Sequence, residues 1–196
     1  MKMSFKLPAA FVSGLFCAFL SVSCATMKAG SMKYPVYVTN SRVIDLLPPQ
    51  DAAGLIDSLY MLNGKFGQTS FYIQAYMHSD GNGILISLLN DFGTDMGSLS
   101  YTGGQLSFNS SVFPKSLKPQ YVAADIQLTF YNPDAVRAAL ESAGLGFTFE
   151  TKADGTEVRK VMDGKKCVEE ISKSAGSVKI VNYLRGYEYD LTEAAE

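Results

Sequence analysis

The stretch "TSFYIQAYMHSDGNGILISLLNDF" does most to limit what this chain can become. Phe71, Ile73, Ala75 and Met77 fall on one side of an alternating pattern, and Tyr72, Gln74, Tyr76 and His78 on the other. A period of two is the mark of a strand with one buried face. Asp80-Gly81-Asn82-Gly83 supplies a hairpin turn, and Ile84, Ile86 and Leu88 resume the alternation. Residues 95–101 and 105–113 follow, separated by Thr102-Gly103-Gly104. Four short strands joined by tight turns predict an antiparallel meander.

The pattern breaks in residues 118–144. Val122, Ile126 and Phe130 stand at i, i+4 and i+8, which predicts a helix, although Ile126, Leu128 and Phe130 also alternate as in a strand. Asn132 suits an N-cap with Pro133 at the first helical position. Val136, Ala139 and Leu140 form an apolar stripe, and Gly144 is a natural stop. Two helices meeting at Asn132-Pro133 are expected. Strands resume at Leu145, punctuated by Asp154-Gly155, Asp163-Gly164 and Arg185-Gly186. Ahead of the meander, residues 33–47 hold two β-rich pieces ended by Pro48-Pro49. In residues 51–62, Leu55, Ile56, Leu59 and Tyr60 fall at helical spacing behind Asp51, a candidate cap. Sheet, helical insert, sheet, without βαβ alternation, predicts an α+β fold: a curved, largely antiparallel sheet with helices against one face.

The first residues bear on place rather than fold. Lys2 and Lys6 precede an apolar run over residues 7–22, and small residues lead to Cys24. These are the parts of an export signal. The run is shorter than the roughly 20 residues a spanning helix needs. Leu20-Ser21-Val22-Ser23-Cys24 resembles a bacterial lipoprotein signal, which implies a signal peptide over 1–23 and lipidation of Cys24. An ordinary cleavable signal and a retained anchor are the alternatives. A tether over 24–33 and one domain over 34–196 complete the expected layout. Several acyl chains on one residue give a stable membrane anchor. Ala25, not Asp, follows the cysteine, which by analogy with enteric bacteria points to the outer membrane and its periplasmic face.

Charge and cysteine content narrow the function further. The formal net charge is −2, and loss of Lys2 and Lys6 with the leader makes it more negative. No electrostatic footprint for nucleic acid is present. If Cys17 leaves with the leader and Cys24 takes lipid, Cys167 is the cysteine that remains, so no intramolecular disulfide is expected. A small buried hydrophobe is its expected role. His78 is the sole histidine. Paired-histidine metal motifs are thereby excluded, and no G-x-S-x-G surrounds a serine. Asp80-Gly81-Asn82-Gly83 lacks the twelfth-position acid of a calcium loop, and the third glycine of a dinucleotide loop is missing. Glu169 and Glu170 point to opposite faces of a strand, which suits a rim, and Tyr183, Tyr187 and Tyr189 could line a pocket or simply serve a strand. No catalytic residue, metal or cofactor is expected.

Three stretches together carry a resemblance: "FGQTSFYIQAYMHSDGNGILISLLNDFGTDMGSLSYTGGQLSF", "VAADIQLTFYNPDAVRAAL" and "VKIVNYLRGYEYDL". Over most of 43–191 the chain resembles a bacterial lipoprotein family of unknown function from aryl-polyene biosynthesis clusters, related to the LolA/LolB lipoprotein carriers. Where relatives often have Trp-Pro, this chain has Phe130-Tyr131-Asn132-Pro133. The resemblance implies a half-open barrel, LolA/LolB-like, whose helices cover a concave apolar face, and in LolB-like proteins that cavity receives acyl chains. The expected lining is Phe71, Ile73, Met77, Ile84, Ile86, Leu88, Leu106, Phe108, Phe147 and Phe149. Two functions are expected to compete. One is binding or moving an acyl-chain or polyene lipid in the cell envelope. The other is a non-catalytic accessory that docks an envelope protein partner, a biosynthetic or export complex, at the outer membrane.

Overall fold

The structure, a computed structural model, describes residues 32–111, Phe113 and residues 117–194. The expected leader, the lipidated Cys24 and most of the tether lie outside these residues. A two-stranded ribbon comes first, β1 (Val36–Tyr37) and β2 (Val43–Ile44), then a 3-10 turn at Pro49–Asp51. Five strands run up and down: β3 (Ile56–Phe66), β4 (Thr69–Asp80), β5 (Gly83–Leu89), β6 (Asp95–Thr102) and β7 (Gln105–Ser110). Helices α1 (Pro119–Phe130) and α2 (Pro133–Ser142) interrupt them. Five more strands follow: β8 (Gly146–Thr151), β9 (Glu157–Asp163), β10 (Lys166–Ser174), β11 (Ser177–Asn182) and β12 (Tyr187–Glu193).

The turns explain the meander. Gly81-Asn82 closes β4 onto β5, with Asp80 Oδ1 accepting from the Asn82 N–H at 2.8 Å and the Gly83 N–H at 3.2 Å. Neither loop residue has positive φ, so the carboxylate holds this turn. The next hairpin uses the other solution. Gly103 and Gly104, at φ +55° and +67°, make the left-handed pair that matches strand twist.

All ten long strands form one antiparallel sheet in the order β7-β6-β5-β4-β3-β12-β11-β10-β9-β8. The two halves of the chain meet where the last strand, β12, pairs with β3. β7 and β8 remain as edges, so the sheet curves without closing. The helical insert leaves one edge and returns at the other, crossing the concave side: α1 contacts β6 and β7, and α2 packs on β8. This is the α+β half-open barrel anticipated from the sequence.

Residues 51–62 are corrected. The expected helix is absent; from Ile56 onward this segment is β3, paired with β4 on one side and β12 on the other. Its inward row is Tyr60, Leu62, Gly64 and Phe66, and Leu55, counted in the helical stripe, is 68% exposed. Two flanking strands outweigh a weak helical spacing, since sheet pairing satisfies every backbone group of a central strand.

Both expected helices form. α1 is buried on most of its surface, at Ala123, Ala124, Asp125, Ile126, Gln127, Leu128 and Thr129. That wide burial is why its apolar residues also read as alternating. Gln127 clamps the Leu47 backbone, accepting from its N–H at 2.9 Å and donating to its carbonyl at 2.8 Å. The buried Arg159 guanidinium donates to the Leu128 and Tyr131 carbonyls at 3.0 and 2.8 Å, a cation at the negative end of α1. In α2 the Asn132 side chain accepts from the Asp134 N–H at 2.9 Å. At its other end Gly144, at φ +75°, donates to Glu141, and Leu145 donates to Leu140, both at 2.9 Å. That is a Schellman stop.

Candidate functional site: the concave face and the cleft beside it

Cross-strand partners share a face, so the register defines what lines the curve. One row runs Phe149, Arg159, Ile171, Ile180, Tyr189, Gly64, Phe71 from β8 to β4. Another joins Met77, Ile86, Leu99 and Phe108 from β4 to β7. Ile73 continues through Leu62 and Leu191, Leu88 pairs Ala75, Ile84 pairs Tyr101 and Leu106 does the same on the other side. Phe147 pairs Val161. All ten expected lining residues therefore face the concave side.

They do not form one pocket. Met77, Ile86, Leu88 and Phe108 line an apolar cavity of about 70 Å³, roofed by Val122 and Ile126 of α1. Ile73 and Ile84 belong to the packed interior, and the half-buried Leu106 packs against it. Phe71 joins an aromatic group with Phe66, Phe113 and Tyr189, at centroid distances of 6.4, 5.2 and 6.4 Å. Gly64 makes room for it, because a Cβ there would meet the Phe71 ring at 2.1 Å. Phe149 lies under the Arg159 guanidinium at 5.4 Å, and Phe147 beside Arg137 at 5.7 Å.

A second space opens next to the first. A cleft of about 310 Å³ lies along the N-terminal half of α1, walled by Phe66, Tyr121, Tyr187 and Tyr189 and carrying Lys118 and Arg185. Leu117, Val122, Asp125 and Tyr189 line both spaces, so the cleft and the cavity adjoin.

Behind Asp125 and Tyr187, which line the cleft, lies a buried polar chain. Glu169, Asn182 and Tyr187 are direct cross-strand partners in β10, β11 and β12. Asn182 Nδ2 donates to Glu169 Oε2 at 2.8 Å and to the Tyr187 hydroxyl at 3.3 Å. Tyr187 donates in turn to both carboxyl oxygens of Asp125, each at 2.9 Å. Burial raises the Glu169 pKa to about 7. Burial, and then the charge of Glu169, hold Asp125 well above the carboxylate range. Burial and the same two acids push the phenols of Tyr187 and Tyr189 upward. Both shifts make this buried chain less negative than two free carboxylates would be. Two buried acids sharing one site keep at least part of their protons.

Part of this arrangement is legible in the sequence. Glu169 and Glu170 do face opposite ways, but Glu169 is 3% exposed and interior rather than on a rim, whereas Glu170 pairs with Lys160 at 3.2 Å. Tyr187 and Tyr189 line the cleft; Tyr183 is exposed elsewhere. Asp125 and Asn182 were missed. Their signal was a polar residue in an otherwise apolar row, Asn182 after Val178 and Ile180, and Asp125 beside Ile126. Cys167 is half-buried, its thiol donates to the Glu169 carbonyl at 3.4 Å, and burial raises its pKa, the opposite of thiolate activation. His78 sits with its ring nitrogens 3.7 Å from Asp57 and from Asp80. Among the described residues no cluster of three metal-ligating side chains occurs, and no helix is long and apolar enough to cross a membrane.

Residues 60–195 match the DUF3261 family, described as a protein of unknown function, and the chain belongs to that family. The match covers nearly all of the ten-stranded sheet and both helices. No curated protein matches the chain.

Proposed function

We propose that this member of the DUF3261 family is a membrane-anchored lipoprotein of the bacterial envelope that binds, or helps move, a lipid or other hydrophobic ligand. The observation that carries the reading is an apolar cavity between α1 and the concave sheet that adjoins a wider, amphipathic cleft. Apolar walls with a few convergent polar groups are what a ligand with a hydrocarbon part requires. In this reading Cys24 carries the lipid anchor, the domain faces the periplasm from the outer membrane, and the ligand is an acyl or polyene chain. The resemblance to aryl-polyene cluster lipoproteins and to the LolA/LolB carriers supports that choice. The role is one of binding, with no reaction assigned.

Small-molecule sites span roughly 300–1,000 Å³, and the cavity beneath α1 is about 70 Å³. A chain therefore enters only if α1 lifts or the cavity's side chains rotate. The same volume favours a second reading, a non-catalytic accessory whose concave face is filled by its own side chains and which docks an envelope complex. Purification of the full chain from bacterial membranes, followed by native mass spectrometry and lipid extraction, separates the two. The carrier reading expects a bound acyl or polyene species at about one per chain beyond the covalent anchor. A ligand-free chain that takes up neither fatty acid nor polyene lipid leaves the accessory role.

A further inference from the structure

The cleft carries two cations, Arg185 and Lys118, and the first of them is held in place. Arg137, Arg159, Lys160, Lys173 and Lys179 each have a carboxylate within 4 Å, whereas other surface cations of the described residues, Arg42 and Lys65 among them, do not. Among the described residues, Arg185 and Lys118 have none at ion-pair distance; Asp125 and Glu169 feel Arg185 only at longer range. Arg185 is nevertheless ordered. Its backbone N–H donates to Asn182 Oδ1 at 2.9 Å, its guanidinium lies 4.8 Å over the Tyr121 ring, and it donates to the Tyr37 carbonyl. A guanidinium carries five N–H donors in a planar fork that matches carboxylate and phosphate oxygens, and the Tyr37 carbonyl takes one.

We propose that this cleft is the head-group subsite for an anionic amphiphile. Arg185 and Lys118 take a carboxylate or phosphate, and the chain passes Val122 and Asp125 into the apolar cavity. The inference rests on the lipid-binding reading and names the ligand's polar end. Three further features fit it. The cleft and the cavity share four lining residues, so head and tail are placed in sequence along one path. Asp125 repels the head less than a free carboxylate would, because burial and then the neighbouring Glu169 raise its pKa, against the hydrogen bonds it accepts from Tyr187. The first turn of α1 carries no acidic residue, leaving the positive end of its dipole unopposed beside Lys118.

Photo-crosslinking of the full chain in phosphatidylcholine nanodiscs tests this. The probes are a long-chain fatty acid with a diazirine near its tail and the matching alcohol; the readout is labelled peptides from β4, β5 and β7. Labelling by the acid is expected to exceed labelling by the alcohol. Arg185→Gln is expected to lower acid labelling about tenfold, the worth of one charge-assisted hydrogen bond, and Lys118→Gln to lower it less. Arg185→Gln also loses the Tyr37 and Tyr121 contacts, so a modest fall in melting temperature is expected with it and none with Lys118→Gln, while neither is expected to move the alcohol signal. Unlabelled dodecanoate and dodecyl phosphate should compete; dodecanol, acetate and inorganic phosphate should not. Equal labelling by acid and alcohol, unchanged in Arg185→Gln, overturns the head-group inference and leaves lipid binding standing. Competition by inorganic phosphate as strong as by dodecyl phosphate overturns it in favour of a free-anion site. Absence of label from both probes overturns the inference and the lipid-binding reading together. Should Arg185→Gln unfold, Arg185→Lys keeps the charge, and retained acid preference in it is the expected result.

Discussion

Glu169 and Glu170 are neighbours in β10 and live in different solvents. A bulge between Cys167 and Glu169 shifts the register there, so Val168 and Glu169 are both buried while Glu170 stays outside. The facing groups are Asn182 from β11, Tyr187 and Tyr189 from β12, Arg185 from the turn between them and Asp125 from α1. Burial lifts the Glu169 pKa from 4.5 to about 7, and Asp125 moves the same way. Between those two values the folded chain holds a proton that the unfolded chain has released. Stability therefore falls as pH rises from about 4.5 to about 7, and for this group it is flat above that. Asp80 and Asp154 have lowered pKa values, so their contribution changes below 3.8, outside this window. The full chain is expected to melt several degrees higher at pH 5 than at pH 8. Glu169→Gln should flatten that slope and raise the melting temperature at pH 8, by an effect on the order of a few kcal/mol. Wild type and variant melting in parallel across pH 5–8 would show that Glu169 is ionised in the fold at little cost.

At the scale of elements, α2 offers the cleanest comparison. Leu140 is fully buried and Glu141, next to it, is exposed. Burying a leucine contributes about 1.5–3 kcal/mol, and a carboxylate in its place adds a desolvation cost. Leu140→Asp is expected to unfold the chain or lower its denaturation midpoint by several kcal/mol, and Glu141→Lys to stay within about 0.5 kcal/mol; chemical denaturation reads both. What made α2 legible was local: the cap at Asn132, Pro133 behind it and Gly144 beyond. The meander was legible for a similar reason, since strong turns fix register and register fixes faces. β3 was not. Its inward row includes Ser58 and Gly64, a small polar residue and a glycine, so the hydrophobic alternation is blurred, and the chance spacing of Leu55, Ile56, Leu59 and Tyr60 reads as a helix instead. Gly64 stands there because the Phe71 ring occupies its Cβ position, a reason that exists only once β4 is paired. The buried polar chain was equally hidden. No local pattern says that Asp125 of α1 meets Tyr187, 62 residues later in the chain.

For the whole molecule, the question is whether the concave face is a core or a container. Sequence alternation identifies a buried face and no more, and both alternatives bury it. The topology sharpens the choice. β7 and β8 are the free edges, and the helical insert spans between them, so α1 is the lid over the apolar face as well as part of the core. Ile86 is the place to ask. It is 6% exposed, pairs Met77 and Leu99, and borders the cavity beneath Val122 and Ile126. In a fully packed core, Ile86→Phe costs about 1–3 kcal/mol by overpacking. Beside a void of about 70 Å³ the added ring atoms have somewhere to go. A ligand that binds only the folded chain stabilises it by about 2.7 kcal/mol at a hundredfold excess over its Kd. Wild type is therefore expected to melt higher with a fluorescent long-chain fatty acid than without it. Ile86→Phe is expected to melt close to unliganded wild type in both conditions, with the fluorescence signal lost. A stable variant that still binds would place the chain elsewhere than beneath α1. An unstable variant, together with a wild type that gains nothing from the fatty acid, would make the concave face an ordinary core and the helical insert its permanent wall.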